Sequence, residues 1–204
     1  MTTASSSPPF FDRFRWLGSE IMLGTLIAVL SISTGAASFQ GSMTDSEQNK
    51  YQNEGMQTLT DANAEYLTAN QFIVYDYSMY DGWYLAETDE KADYYQDNFS
   101  EELQASVAAD PDNPFSDQYY ADMDKTADEM FAEADADFAL AEQFNERGDK
   151  LQLVMLVSAI GLAFTAWASL LNEKSKMRLL FAALALITTL IALIAFLGVP
   201  TVTV

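Results

Sequence analysis

LQLVMLVSAIGLAFTAWASLLNEKSKMRLLFAALALITTLIALIAFLG, residues 151–198, decides the fold. It contains two charge-free runs, Leu151–Leu171 of 21 residues and Leu179–Gly198 of 20, around the seven-residue NEKSKMR of 172–178. A bilayer's hydrocarbon core is about 30 Å thick and takes about 20 apolar residues at helical rise. A buried helix of a water-soluble core usually keeps a polar face, and neither run has one. They read as transmembrane helices over 151–171 and 179–199, joined by a short basic turn. Upstream, IMLGTLIAVLSISTGAASF (21–39) is a weaker third span, its second half rich in Ser, Gly and Ala. Gly35 and Ala37 also suit signal-peptide cleavage after Ala37, but the long preceding region with Asp12 and Glu20 favours a retained helix.

Basic residues set the expected direction. Arg13 and Arg15 precede the first span, and Lys174, Lys176 and Arg178 lie between the second and third. With three spans, both groups fall on one side, which the positive-inside rule makes cytoplasmic. Residues 1–20 are then a cytoplasmic N-terminus, 40–150 an outer domain and 200–204 an outer tail. Trp16 and Trp167 fall near the cytoplasmic interface, and Phe10, Phe11 and Phe14 reinforce that edge. A multi-pass protein of the plasma (inner) membrane is expected.

Charge is segregated in the same way. The chain of 204 residues has 30 acidic and 10 basic residues. Between Gln40 and Lys150 stand 27 acidic and 5 basic residues, a balance of −22. Such a domain repels phosphates, so nucleic acid is not an expected partner. The chain has no cysteine and no histidine. Disulfides, thiolate nucleophiles, His-based triads and Cys or His metal sites are thereby excluded, and no cofactor or enzymatic activity is expected. Any metal would be a hard cation on oxygen ligands.

The outer region reads as an antiparallel helical hairpin, making the whole an all-α membrane protein. From about Thr44 to Glu87, Leu59, Tyr66, Ile73 and Tyr80 recur at seven-residue steps, widened by Ala62, Ala69, Tyr77, Trp83 and Tyr84. DEKADYYQDNFSEELQASVAA is expected to continue as helix after a break. AADPDNPFSD, 108–117, is the turn, with Asn113 as N-cap and Pro114 as first residue of the next helix. From there Tyr120, Met123, Ala127, Met130, Ala134, Phe138, Ala141 and Asn145 recur at steps of three and four. An aromatic stripe facing an alanine stripe allows close packing. The stems are expected to run on from the first two membrane helices.

Candidate sites are few. The turn's Asp110, Asp112 and Asp117 are weak calcium candidates. An EF-hand is excluded, since Pro114 and Phe115 stand where a ligand and glycine belong and Ala121 where glutamate belongs. The acidic helices could also attract cations or dock a basic protein. Tyr66, Phe72, Ile73, Tyr77, Tyr80, Trp83 and Tyr84 are the candidate interaction residues, as hairpin core or as a protein-binding surface. Gly24, Ala28, Ser31, Gly35, Gly161 and Thr165 are small residues at spacings that permit close helix contact, within the chain or between chains. The leucine-rich third span is expected to face lipid.

The stretch from EADADFALAEQ through NEKSKMR to IALIAFLGV, residues 133–199, resembles the C-terminal half of a family of small prokaryotic membrane proteins, a domain of unknown function. The resemblance implies one N-terminal membrane helix, a long helical insert and a two-helix membrane hairpin with a basic turn. It implies no activity. The family's Trp/Tyr–Gln–Ala–Lys element corresponds here to ANQFIVYDYSMYDGWYLAE, 69–87, which lacks the lysine. The expected role is assembly in the bilayer, as a subunit of a larger membrane complex or with copies of itself. The alternative is an oligomeric cation channel or sensor with an acidic vestibule.

Overall fold

A computed structural model describes residues 14–203; Arg13, Phe10 and Phe11, invoked above for orientation and for the interface, lie outside the described residues. After a 3₁₀ turn at Arg15–Gly18 come five helices: α1 (Glu20–Tyr84), α2 (Asp89–Gln96), α3 (Glu101–Ala109), α4 (Asp117–Leu170) and α5 (Lys176–Leu197). No strand occurs among the described residues. α1, α4 and α5 are each long and apolar enough to cross a membrane.

A hydroxyl starts every helix. Ser19, Thr88, Ser100, Ser116 and Ser175 accept the backbone N–H of Met22, Lys91, Leu103, Tyr119 and Met177 respectively. Such caps satisfy N–H groups that no helical carbonyl reaches. They also correct one expectation and place a further helix start. α4 begins after Ser116, not at Asn113–Pro114, because Pro114 is buried and the Phe115 ring packs against Tyr77 and Tyr80. α5 begins at Lys176, three residues ahead of the charge-free run at Leu179, because Ser175 supplies the cap. The run after Thr88 is two helices: Phe99 turns inward and Ser100 restarts the chain. α1 and α4 do run on through the ends of their apolar segments.

The chain divides into two compact units, one built from residues before Lys50 and after Ala139, the other from Lys50–Ala139. In the first, α1 buries Leu23, Leu26, Leu30, Ser33, Ala37 and Thr44, at steps of three, four and seven. α4 buries Leu151, Val154, Ser158, Thr165 and Ala168, and α5 buries Ala182, Ala185, Thr189 and Ala192. These spacings repeat the heptad logic of coiled coils. Gly161 is the point of convergence: a Cβ there would lie 2.8 Å from Thr188 Oγ1 and 3.0 Å from Leu30 Cδ1. Leu30 beside Gly161 and Thr44 beside Gly148 show that α1 and α4 run antiparallel. Small and hydroxyl side chains fill much of this seam. Ile21, Ile32, Leu156, Ile187 and Ile194 stand outside it, exposed. That inversion of the water-soluble pattern is how helices pack in lipid, where close approach matters more than burying leucine.

The small-residue positions divide. Gly161 and Thr165 are buried in the seam, but Gly24, Ala28, Ser31 and Gly35 share an exposed face of α1. Nothing lies within 4 Å of a Cβ placed on Gly24 or Gly35. α5, expected to face lipid, also turns an alanine and threonine face inward.

In the second unit the middle of the interface is small on both sides. Ala62 and Ala69 of α1 and Ala127 and Ala134 of α4 are all buried. Gly55 admits Phe138, whose Cε1 would stand 3.0 Å from a Cβ at that glycine. The expected aromatic-against-alanine pairing is therefore replaced by alanine on both helices. The aromatics gather instead where α2 and α3 fold back, around Ile73, Phe99, Leu103 and Tyr119.

Candidate functional site

The aromatic cluster of the second unit is the most constructed local feature. The periodicity that buries Ile73 also buries Asp76, three residues on. Asp76 is fully enclosed at 0% exposure. Its Oδ1 accepts the Ser100 backbone N–H at 2.9 Å, and its Oδ2 accepts the Ser100 hydroxyl and, at 2.8 Å, the Tyr119 hydroxyl. One carboxylate thereby joins α1, the start of α3 and the first turn of α4. A buried charge is costly unless saturated with donors, and this one is. Burial pushes the Tyr119 hydroxyl pKa up, and its hydrogen bond to Asp76 adds to the shift.

Rings close the cluster around this tie. Tyr77 lies 4.3 Å from Phe115, Tyr80 5.3 Å from Trp83, and Phe115 5.3 Å from Tyr119, between ring centres. Tyr77 and Tyr120 share a short hydroxyl–hydroxyl bond, which raises the Tyr120 pKa ahead of the smaller effect of burial. The Tyr95 ring lies over Gly82 and fills the space a Cβ there would need. With both carboxylate oxygens engaged and no solvent access, Asp76 is a structural tie and not an exposed acid or base. Sequence reasoning missed it. The available signal was its place in the Ile73–Tyr80 stripe, three residues after one and four before the other.

The seven candidate interaction residues divide. Ile73, Tyr80 and Trp83 belong to the cluster, as does the ring of Tyr77. Tyr66, Phe72 and Tyr84 are exposed. They are joined on α1 by exposed Met56, Leu59, Leu67, Val74 and Tyr75. α4 is the opposite: from Asp117 to Lys150 it exposes no large apolar side chain, and Asp122, Asp128, Glu129, Glu133 and Asp135 face outward.

The calcium candidates are not brought together. Among the described residues no set of three carboxylates is placed to hold a metal ion. Asp110 instead accepts the Asp112 backbone N–H at 3.2 Å, and Phe115 anchors the loop by inserting into the cluster.

The basic turn is also divided. Lys174 and Lys176 are exposed, as is Arg15 in the 3₁₀ turn. Arg178 is only 5% exposed. Its Nε donates to the Gly18 carbonyl and its Nη1 to the Leu171 carbonyl, each at 2.8 Å. It therefore caps the end of α4 and fastens the 3₁₀ turn to it. No family model, curated protein or solved structure matches the chain.

Proposed function

We propose that this is a non-enzymatic, multi-pass protein of the plasma (inner) membrane that acts by assembly. The N-terminus and the 172–178 turn face the cytoplasm, and 40–150 forms a helical hairpin outside. This hairpin binds other membrane subunits or further copies of the chain. One observation carries the reading: within the acidic unit, exposed apolar side chains collect on α1, while α4 exposes carboxylates. Tyr66, Leu67, Phe72, Val74 and Tyr75 are exposed within the charge-free stretch 66–75. Exposed aromatic and aliphatic groups concentrated on one helix of a charged domain favour a protein contact. The orientation is supported by Arg15, Lys174 and Lys176, which give the cytoplasmic side its cations.

The absence of cysteine makes the test clean. Single cysteines at Phe72 or Tyr66 on α1, and at Asp128 or Glu133 on α4, are introduced into the full chain in native membranes. A thiol cross-linker is expected to give discrete adducts from the α1 positions and none from the α4 positions. Monomer at all four positions, with a monodisperse monomer in mild detergent, would overturn assembly.

A further inference from the structure

The carboxylates of α1 leave one line of the helix free. From Asn53, steps of three and four lead through Met56, Thr60, Asn63, Leu67 and Asn70 to Val74. That alternation is the heptad spacing of a coiled-coil seam, here about 30 Å of helix. None of the seven residues is charged, and all are exposed except the half-buried Asn70. Met56, Leu67 and Val74 are 58%, 61% and 64% exposed. This seam is not the one that packs inside the chain, which runs through Ala62, Ala69 and Ile73. The charges of the stretch, Glu54, Asp61 and Glu65, fall on the far side of the helix. The positions flanking the seam are neutral as well, Gln57, Ala64 and Gln71 along one edge, Leu59 and Tyr66 along the other. The polar side chains of the seam are turned back on their own helix. Thr60 Oγ1 donates to the Met56 carbonyl at 2.8 Å, and the Asn63 and Asn70 amides donate to the Leu59 and Tyr66 carbonyls at 2.7 and 2.8 Å. Each can leave water with a donor already satisfied, which lowers the cost of drying this face.

We propose that this seam pairs with the same seam of a second copy of the chain, parallel and in register, as a two-stranded coiled coil. The inference rests on the membrane assembly proposed above and names its partner. Charge selects a copy over other proteins. A basic partner would seek carboxylates, and neither the seam nor its edges offer any. Two copies bring together domains that carry −22 each, and a neutral line is where such domains touch without setting like charges face to face. Coiled coils that choose an unlike partner do so through charged edge residues, and these edges have none. A copy also needs groups that match themselves, and an asparagine side chain is donor and acceptor at once. The Leu59 carbonyl takes one amide hydrogen of Asn63, leaving the other and the oxygen to bond the same residue of the second copy. Asn70 repeats the arrangement one heptad on. A bilayer that holds both copies the same way round makes the pair parallel and sets identical residues opposite one another. The asparagines then fix the register, because a slip of one heptad sets one of them against Met56 and another against Tyr77.

The test uses the full chain in native membranes. Single cysteines replace Met56, Leu67 or Val74 on the seam, and Phe72 or Glu65 off it, with copper phenanthroline as oxidant. A direct disulfide needs α-carbons within about 7 Å, so it reports the seam where a longer cross-linker reports proximity. Each seam position is expected to give a disulfide dimer of twice the chain's mass, and the off-seam positions less than about a fifth as much. Two forms with tags of different length, expressed together, should give the mixed dimer. Same-residue bonds at all three seam positions require a parallel pair. Leu67→Glu combined with Val74→Glu should reduce the dimer formed through a cysteine at position 56 about fivefold. Both side chains are exposed, and the melting temperature checks that the hairpin still folds. Asn63→Leu combined with Asn70→Leu should strengthen the dimer but loosen its register. A chain with cysteine at 67 should then bond one with cysteine at 74, which the unaltered seam prevents. No disulfide at any seam position, a dimer as abundant from Phe72 as from Leu67, or a dimer that survives the glutamates would overturn the proposal. So would bonding between positions 67 and 74 in the unaltered seam. Adducts to other proteins in the cross-linker experiment above, without seam disulfides, overturn only this inference, whereas monomer in both experiments overturns assembly itself.

Discussion

Among the described residues, Asp76 and Arg178 are the two buried charged side chains, and both are committed to bonding. Each is buried, and each has its bonds shared between separate segments of chain. Replacing Tyr119 with Phe removes one donor from a buried carboxylate and should cost about 1.5–3 kcal/mol, read by denaturant or thermal unfolding. Asp76→Asn should cost more, because an amide turns one acceptor into a donor facing donors. The folded state holds Tyr119 protonated beyond its ordinary pKa of 10.0. As pH rises past 10.0 the unfolded chain therefore loses its proton first, so this contribution is complete below pH 10 and declines above it. Tyr119→Phe should flatten that decline in a melting-temperature series from pH 8 to 11. Arg178→Ala should speed hydrogen exchange around Gly18–Leu23 and Leu171, while Lys174→Ala should not. The cations of the turn are thus unequal, which composition alone does not reveal.

At the scale of elements, glycines separate contacts made inside the chain from faces left open. Gly82→Ala should displace Tyr95 and loosen α2, since its ring occupies the place of the added Cβ. Gly161→Ala should lower the melting temperature by forcing α1 and α5 away from α4. Gly24→Ala and Gly35→Ala meet nothing within 4 Å and should leave the fold intact or stabilise it by up to about 1 kcal/mol through helix propensity. If they nevertheless weaken cross-linking between copies, that face is used between chains. The helices and their apolar segments were legible because charge-free runs of bilayer length have few other readings. The caps were half legible. Ser19, Ser100 and Ser175 stand before helical runs, but Ser116 was hidden behind Asn113–Pro114, an equally good local signal. Phe115 settles that choice through distant contacts with Tyr77 and Tyr80. The division of the aromatic stripe was not legible either. Periodicity gives a face, and only the return of α2 and α3 decides which part of it is covered.

At the scale of the molecule, the charge balance and the cations of the turn bear on direction. On the orientation proposed above, a reporter fused after Val204 maps outside, and one inserted at Lys174 maps to the cytoplasm. Neutralising Lys174 and Lys176 together should produce a mixed topology in a protease-protection assay, with Arg178 left in place to keep the fold. A C-terminal reporter found in the cytoplasm of the unaltered chain would reverse the assignment.

The alanine-lined middle of the acidic unit has one more consequence. Alanine presents the same low profile every heptad, so Ala62 and Ala69 could meet Ala127 and Ala134 in an alignment displaced by seven residues with little loss. The seam specifies closeness but not position along the helices. Position is fixed at its ends, by Phe138 in the notch at Gly55 and by the Asp76–Tyr119 bond. These two contacts thus supply a register that the alanines alone leave degenerate, and Leu30 against Gly161 keys the same two helices again.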